Sequence, residues 1–259
     1  MAARIHPTAV VDSSAELGDG VVVGPYAVLG AGVTIGPDTE VGPHVVIEGT
    51  TTIGARCRLV GQASIGTAPQ DLKYRGGPTR LEIGDDNIIR EFVTMNRATE
   101  SGGGVTRVGN HGMFMAYAHV AHDCTVGDHV VMANSATLAG HVTIEDHAIV
   151  GGLVAIHQFV RIGESAILGG GAMVTLDVAP YCMAAGDRAV LHGLNVIGLR
   201  RRGFTPQSIA ALRSAYRTIF RSGMRLQDAL EELKADAETE PAVAHLVRFI
   251  EQSQRGICR

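Results

Sequence analysis

Apolar residues recur along this chain every six positions, a period that belongs neither to an α-helix nor to an alternating strand. From Ile5 the steps fall on Val11, Leu17, Val23, Leu29, Ile35, Val41, Ile47, Ile53, Leu59 and Ile65. The frame resumes at Ile83, Ile89 and Met95, then restarts one place later at Val108 and runs to Val174. All 26 positions are apolar. Such a period fits short strands joined by tight corners, with one aliphatic side chain turned inward per strand. Three hexads close one triangular coil of 18 residues. Coils stack at the inter-strand spacing of about 4.8 Å, so about nine of them predict a prism about 40 Å long. The place after each aliphatic is often Gly, which suits the positive φ that corners need. The fifth place is small, as at Cys57 and Cys124, and is read as inward where the corner narrows.

Two segments leave this frame. Residues 71–82, "DLKYRGGPTRLE", have the length of two hexads, and residues 101–107, "SGGGVTR", shift the frame by one. Both are Gly-rich and charged, and both are expected to be loops that leave the coil; loops on a rigid scaffold often carry function. Near residue 190 the hexads stop. In "FTPQSIAALRSAYRTIFRSG", Thr205 is a candidate N-cap, Pro206 takes the first helical position and Gly223 is a stop. "LQDALEELKADAE" and "PAVAHLVRFIEQSQ" read as two further amphipathic helices. The expected organisation is therefore a mainly β hexapeptide-repeat domain over 1–189 and a small α-helical C-terminal domain over 190–259. Its helices have apolar faces that can cap the open strand edge at the end of the coil or pack on a neighbour.

Composition narrows the classes. Hydrophobic residues make up 46% of 259 positions, but aromatics only 4%, and Trp is absent. A core of stacked aliphatic columns needs no large rings. The 33 glycines are not in every third place, which excludes collagen. A formal charge of −4 gives no reason to expect nucleic-acid binding over the whole surface. The four cysteines, Cys57, Cys124, Cys182 and Cys258, form no C-x-x-C pair, so neither a thiolate zinc site nor a disulfide framework is expected. "MAARIHPTAVVDSS" lacks an apolar h-region, and no run of about 18 apolar residues exists to span a membrane. These features point to a soluble, cytoplasmic protein.

The coil period also sorts the polar residues. The hexads that start at Val120, Leu138 and Ile156 are 18 apart and stack on one face. Gly140 lies 18 after His122, and His141 lies 18 after Asp123. His122, Asp123, Gly140, His141, His157 and Gln158 are thus expected to form one patch across three coils, with His119 just before the corner. An imidazole beside a carboxylate suits general-base work, and the Gly140 backbone N–H can approach an oxyanion without side-chain obstruction. A three-histidine zinc site that activates water is the alternative, and scattered exposed histidines are the bland one. Cys124 falls in the fifth, inward place and is set aside as a nucleophile.

Several motifs go further. "QDLKY" (70–74), "GGGVTRVG" (102–109), "AHVAHDCTVG" (118–127), "ATLAGHVTIED" (136–146), "HQFVRIG" (157–163) and "GLNVIGLRRRGF" (193–204) together closely resemble the bacterial acyl-carrier-protein–UDP-N-acetylglucosamine O-acyltransferase family of lipid A biosynthesis. The resemblance covers essentially the whole chain. It implies a left-handed parallel β-helix, a homotrimer with active sites between subunits, and transfer of a 3-hydroxyacyl chain from acyl carrier protein to the 3-hydroxyl of UDP-N-acetylglucosamine. It implies no metal and no cofactor, because the phosphopantetheine arrives on the carrier protein. By resemblance His122 is the base, Asp123 orients it and Gly140 N–H holds the oxyanion. His119, His141, His157 and Gln158 line the sugar and acyl sites. Gln70, Asp71 and Lys73 contact the nucleotide sugar or the acyl donor, and Asn195, Arg201 and Arg202 bind nucleotide or diphosphate. A diphosphate needs cations, which "LRRRG" supplies, although a run of arginines taken alone is a solvated surface. Gly170 falls where the family sets acyl length by side-chain bulk, and glycine there implies a chain around the C14 class. Ile197 stands where related sequences often carry an acid, and Asn96 where some carry His. The resemblance leaves as rivals a sugar N-acyltransferase on the same scaffold, a γ-class zinc carbonic anhydrase and a non-catalytic β-helix.

Overall fold

Strands of two to five residues stack into three sheets of eleven, nine and eight strands in the computed structural model, which describes residues 2–259. Strands that neighbour one another in a sheet lie one coil apart in sequence. Arg4 pairs with Val22, Val10 with Val28 and Glu16 with Thr34, all parallel and all at the expected spacing. Each sheet is one face of a triangular prism. The periodic aliphatics form its interior: Leu29, Ile35, Ile47, Leu59, Ile65, Met95, Phe114 and Met132 are among the largest fully buried side chains. Cys57 and Cys124 are buried in the inward fifth place. Burial pushes the Cys124 thiol up to about 12, and it donates to the Ala139 carbonyl at 3.2 Å, so it is core.

The corners differ from expectation in one respect. Apart from Gly66, the glycines that directly follow the aliphatics do not have the positive φ. That role falls two places later, mostly on non-glycine residues such as Tyr26, His44, Phe92, Tyr117, Asp123, His141 and Phe159, with φ near +60°. The glycines are needed instead because adjacent coils approach so closely: a Cβ on Gly36 would lie 2.5 Å from the carbonyl carbon of Gly54. The left-handed corners turn large side chains outward in vertical columns, and this is what aligns functional groups from different coils.

The two excursions are shorter than predicted. Arg80–Ile83 and Val105–Val108 are strands, in register with Thr50–Ile53. The reason lies in the fifth place: Leu81 and Thr106 are fully buried there, so the chain re-enters the coil two residues before Ile83 and Val108. The first loop is held at its base by Asn96, whose amide donates to Thr67 Oγ1 at 2.9 Å and to the Ala68 carbonyl at 3.1 Å. Arg97 Nη1 donates to the Gly66 carbonyl at 2.8 Å, and Glu100 accepts from Gly77 N–H at 2.6 Å.

Cys182–Ala185 is the last strand to join parallel, and Val190–Leu194 pairs with it antiparallel. Five helices follow: α1 (Val196–Arg201), α2 (Pro206–Arg221), α3 (Leu226–Glu232), α4 (Lys234–Thr239) and α5 (Pro241–Glu251). Thr205 caps α2 by accepting from Ser208 N–H at 3.0 Å, as its sequence predicts. The helix expected over 226–238 is instead broken at Leu233, which is buried and so keeps an apolar side chain on the core. The C-terminal segment is fastened to the flank of the last coils. Arg161 lies 4.2 Å over the Phe249 ring, His245 Nε2 meets Glu145 at 2.8 Å, and Ser253 Oγ donates to Asp177 at 2.7 Å. Among the described residues no helix is long and apolar enough to cross a membrane.

Candidate active site

The edge that follows Val120, Leu138 and Ile156 carries the expected patch. Asp123, His141 and Phe159 occupy its left-handed corner positions on successive coils. The Asp123 side chain is fully buried, which would be costly for a carboxylate without partners. It has several. Thr99 Oγ1 donates to its Oδ2 at 2.7 Å and the Thr99 N–H lies 3.1 Å from Oδ1, while His122 Nδ1 meets Oδ2 at 2.7 Å. The Asp123 backbone is fixed by its N–H donating to Thr106 Oγ1 at 2.8 Å. With the carboxylate ionised, Nδ1 of His122 carries the proton and Nε2 is left with its lone pair. That is the arrangement of a general base with an orienting acid.

Gly140 lies under this ring. A Cβ there would come within 2.5 Å of His122 Cε1 and 2.7 Å of Nε2, so only glycine lets the imidazole settle onto the next coil. The Gly140 N–H donates to no acceptor among the described residues. Its place in the hexad explains why. The ladder does not use this N–H, and proline takes the same place at Pro7, Pro25, Pro37 and Pro43. A spare donor therefore sits beside the base, as stabilisation of a tetrahedral oxyanion requires.

His141 meets His122 edge-on, with centroids 5.3 Å apart, and stacks on Phe159 at 4.5 Å. Burial holds its pKa below the ordinary value despite the attraction of Asp123. His119 is held by Thr94 Oγ1 at 2.7 Å from Nδ1, and burial, then the charge of His122, lowers its pKa. Both imidazoles are thus kept neutral near pH 7 and can accept or donate a hydrogen bond to a polar substrate. His122, Asp123 and His141 also bring one ligand atom each within 4.8 Å of one another, the geometry of a two-histidine, one-carboxylate cation site. The carboxylate oxygen it would share, Oδ2, already accepts from Thr99 and His122.

The first loop folds over this edge. Gln70, Asp71, Lys73, His122, His141 and Gln158 line one cleft of about 680 Å³, together with Ser101, Gly102 and Phe159. Asp71 shapes the loop by accepting from Lys73 N–H at 2.8 Å. His119 and His157 are not in its lining; His157 is exposed, with its ring 3.2 Å from the Gln158 carbonyl. Thr99 is not singled out by the sequence pattern, and Ser101 and Gly102 fall in the loop expected over 101–107 without a role assigned to either. Gly102 packs directly against the Asp123 carboxylate, where any Cβ would collide. The one signal is the position of "GGG" shortly after Thr99, but nothing in the hexad frame places that loop over Asp123.

The remaining predicted residues lie on the other two edges. Asn195, Arg201 and Arg202 line a second cleft of about 770 Å³ between α1 and the sheet face of Val131, Ile149 and Ile167. The Asn195 side chain is committed locally: it caps α1 by accepting from Gly198 N–H at 2.9 Å and donates to the Ser165 carbonyl at 2.9 Å. Arg202 pairs with Glu164 at 2.8 Å and contacts Ser165 Oγ. Arg201 is exposed, and its side chain has no ion pair or hydrogen bond among the described residues. Ile197, 66% exposed, lines the same cleft with an apolar side chain. Gly170 is exposed on the third edge, where an added Cβ would meet only the Gly152 carbonyl, at 3.3 Å.

Known proteins agree with this architecture along its whole length. Residues 177–258 match the family described as UDP N-acetylglucosamine O-acyltransferase, domain 2, and residues 14–49 match the bacterial transferase hexapeptide family. Acyl-carrier-protein–UDP-N-acetylglucosamine O-acyltransferase from Alkalilimnicola ehrlichii is 56% identical over 99% of this chain and 99% of its own. The enzyme of that name from Myxococcus xanthus is 53% identical over 99% of this chain and 100% of its own. The crystal structure of UDP-N-acetylglucosamine O-acyltransferase from Moraxella catarrhalis superposes with a TM-score of 0.96 at 46% identity, over 98% of this chain and 99% of that one. The fold is accordingly the left-handed parallel β-helix with a small helical C-terminus, and neither the carbonic anhydrase nor the N-acyltransferase reading is favoured. With a buried carboxylate, an oriented imidazole and a spare N–H on one edge of that fold, the chain belongs to the acyl-carrier-protein–UDP-N-acetylglucosamine O-acyltransferase family.

Proposed function

We propose that this enzyme transfers a 3-hydroxyacyl chain from acyl carrier protein to the 3-hydroxyl of UDP-N-acetylglucosamine, the first step of lipid A biosynthesis. The observation that carries the mechanism is the His122–Asp123 pair set over the free N–H of Gly140. His122 Nε2 takes the proton of the sugar hydroxyl as its oxygen attacks the thioester carbonyl carbon. The carbonyl oxygen gains the negative charge and is held by Gly140 N–H. The C–S bond then breaks, the ester forms, and the imidazolium returns its proton to the departing phosphopantetheine thiolate. Asp123 stays ionised and stabilises the imidazolium. No metal and no cofactor of the enzyme's own enters these steps. Gln70, Asp71, Lys73, His119, His141, His157 and Gln158 position the sugar and acyl donor.

The nucleotide diphosphate docks in the cleft of Arg201 and Arg202, with Asn195 holding α1 in place. That cleft and the base lie on different edges of one protomer, which supports a homotrimer whose sites are completed by a neighbouring subunit. Leu72, in the first loop, is 97% exposed, and the exposed rings of Phe92 and Tyr117 stack on the third edge, which also carries exposed Tyr26 and Leu153. Both features fit burial between protomers. The free, buried cysteines fit the reducing cytoplasm.

Product analysis with UDP-N-acetylglucosamine and a ladder of 3-hydroxyacyl carrier proteins tests this reading. The expected product is a 3-O-acyl ester, formed fastest from chains around C14. Amide products, or equal use of coenzyme A thioesters, would overturn it. Gly170→Met is expected to move the preferred chain several carbons shorter, because the added side chain would stand on the exposed third edge, with only the Gly152 carbonyl within 4 Å of its Cβ. An unchanged chain-length profile in that variant would place the acyl ruler elsewhere.

A further inference from the structure

The second edge carries a feature that the transfer mechanism leaves unused. His111, His129 and His147 hold its left-handed corner positions on three consecutive coils, with ring centroids 4.7 and 4.5 Å apart and planes within 7° of parallel. Ser165 takes the corner on the next coil, where it receives Arg202. His129, His147 and Ser165 are therefore the corner side of the wall that faces Arg201 and Arg202 across the second cleft.

In such a stack each imidazolium raises the cost of charging its neighbour. The surrounding charges divide the column. At its lower end His111 Nδ1 lies 3.8 Å from Asp86, which is itself held by Arg56 at 2.7 Å. At its upper end His147 is held neutral by burial first, then by the charges of Arg202 and His129, against a smaller opposing pull from Asp146 and Glu164. Asp146 is already accepting from Asp128 N–H at 2.8 Å, and Glu164 is paired with Arg202 at 2.8 Å. The wall thus presents a neutral, protonatable imidazole at His147, stacked on His129, where the cleft has an excess of fixed cation.

We propose that His129 and His147 are binding residues for the diphosphate of the sugar nucleotide, and that docking of this anion draws a proton onto the pair. The inference rests on the reading that the diphosphate enters the cleft of Arg201 and Arg202. A phosphate set between Arg201 and His147 offsets the arginine repulsion and favours the imidazolium, which then donates a charge-assisted hydrogen bond. The sign follows. His147 has a pKa below the ordinary value in the free enzyme and a higher one with the anion bound, so a proton is taken up between the two values. Affinity tightens as pH falls toward the free-enzyme pKa and levels off below it. A rise of one unit on binding corresponds to about tenfold in affinity.

The test is calorimetry of UDP-N-acetylglucosamine binding to the intact enzyme, from pH 8 to pH 6, in buffers of different ionisation enthalpy. His147→Phe and His129→Phe are the informative variants. Phenylalanine already occupies this corner conformation at Phe92 and Phe159, and Phe159 stacks on a histidine there. The wild type is expected to take up a proton and to bind about five- to tenfold tighter at pH 6 than at pH 8. Each variant is expected to lose most of that uptake and most of the pH dependence. Equal uptake in wild type and both variants overturns the proposal. Arg201→Ala separates the docking position from the proton uptake. If it leaves affinity unchanged, the docking position and this inference fall together; if it weakens binding while the phenylalanine variants keep full proton uptake, this inference alone falls.

Discussion

His122→Ala is expected to lower turnover by about 10²–10⁴-fold, the usual contribution of a positioned general base. The fold should be unaffected, because the ring lies on the outside of the coil, against Gly140 and Asp123, and contributes nothing to the aliphatic columns. Steady-state rates at saturating acyl carrier protein and sugar nucleotide, with thermal unfolding as a control, make the measurement. A loss below about tenfold with an unchanged melting temperature would remove His122 as the base. The effect should dominate over that at His119 or His141. Those imidazoles lack the hydrogen-bonded carboxylate that fixes a tautomer, since His141 Nε2 is 3.7 Å from Asp123 and His119 is bound to a threonine.

Gly140→Ala is expected to cost about 10²-fold in turnover, the scale on which a displacement of about 1 Å at a reacting group is felt. Alanine keeps the backbone N–H, so the oxyanion donor remains. What changes is the seat of the base: the new Cβ would lie 2.5 Å from His122 Cε1, and the ring must lift away from Gly140 and from its alignment with Asp123. The variant separates two roles that one residue otherwise combines. Loss of turnover with little change in either substrate's binding would assign the effect to ring placement. Turnover within about threefold of the wild type would mean that the observed packing is not the reactive arrangement. An overpacked contact of this kind costs about 1–3 kcal/mol of stability where it cannot relax. The cost here falls at the low end, because the imidazole has solvent on one side, with 14% of its side chain exposed.

Most of this site is legible in the amino-acid sequence because the repeat is a ruler. Eighteen residues separate Asp123 from His141, and the parallel register converts that spacing into a vertical contact; the backbone bond from His141 N–H to the His122 carbonyl, 3.0 Å, is its direct expression. The inward place of Cys124 follows from the same frame. What the frame does not carry is chemistry supplied by excursions. Thr99 satisfies both oxygens of Asp123, yet it lies on a segment where the period lapses. The assignment of positive φ to the glycines fails for a related reason. A hexad pattern records which residues are small, but not whether smallness serves a backbone torsion or the close approach of the next coil. Asn195 is a third case: its role as a helix cap and as a tie to Ser165 depends on a tertiary contact across 30 residues.

The two ends of the stack are unequal. At one end Val190–Leu194 and the helices cover the last coils; at the other, Ile5 is 48% and Val10 63% exposed, and no described residue lies beneath them. In a structure where each coil touches only its neighbours, stability is a sum of local terms passed along one axis. The coils of His122 and Gly140 have a neighbour on either side, and the helical segment is fastened just beside them at Glu145 and Arg161, so the catalytic edge lies where those local terms add.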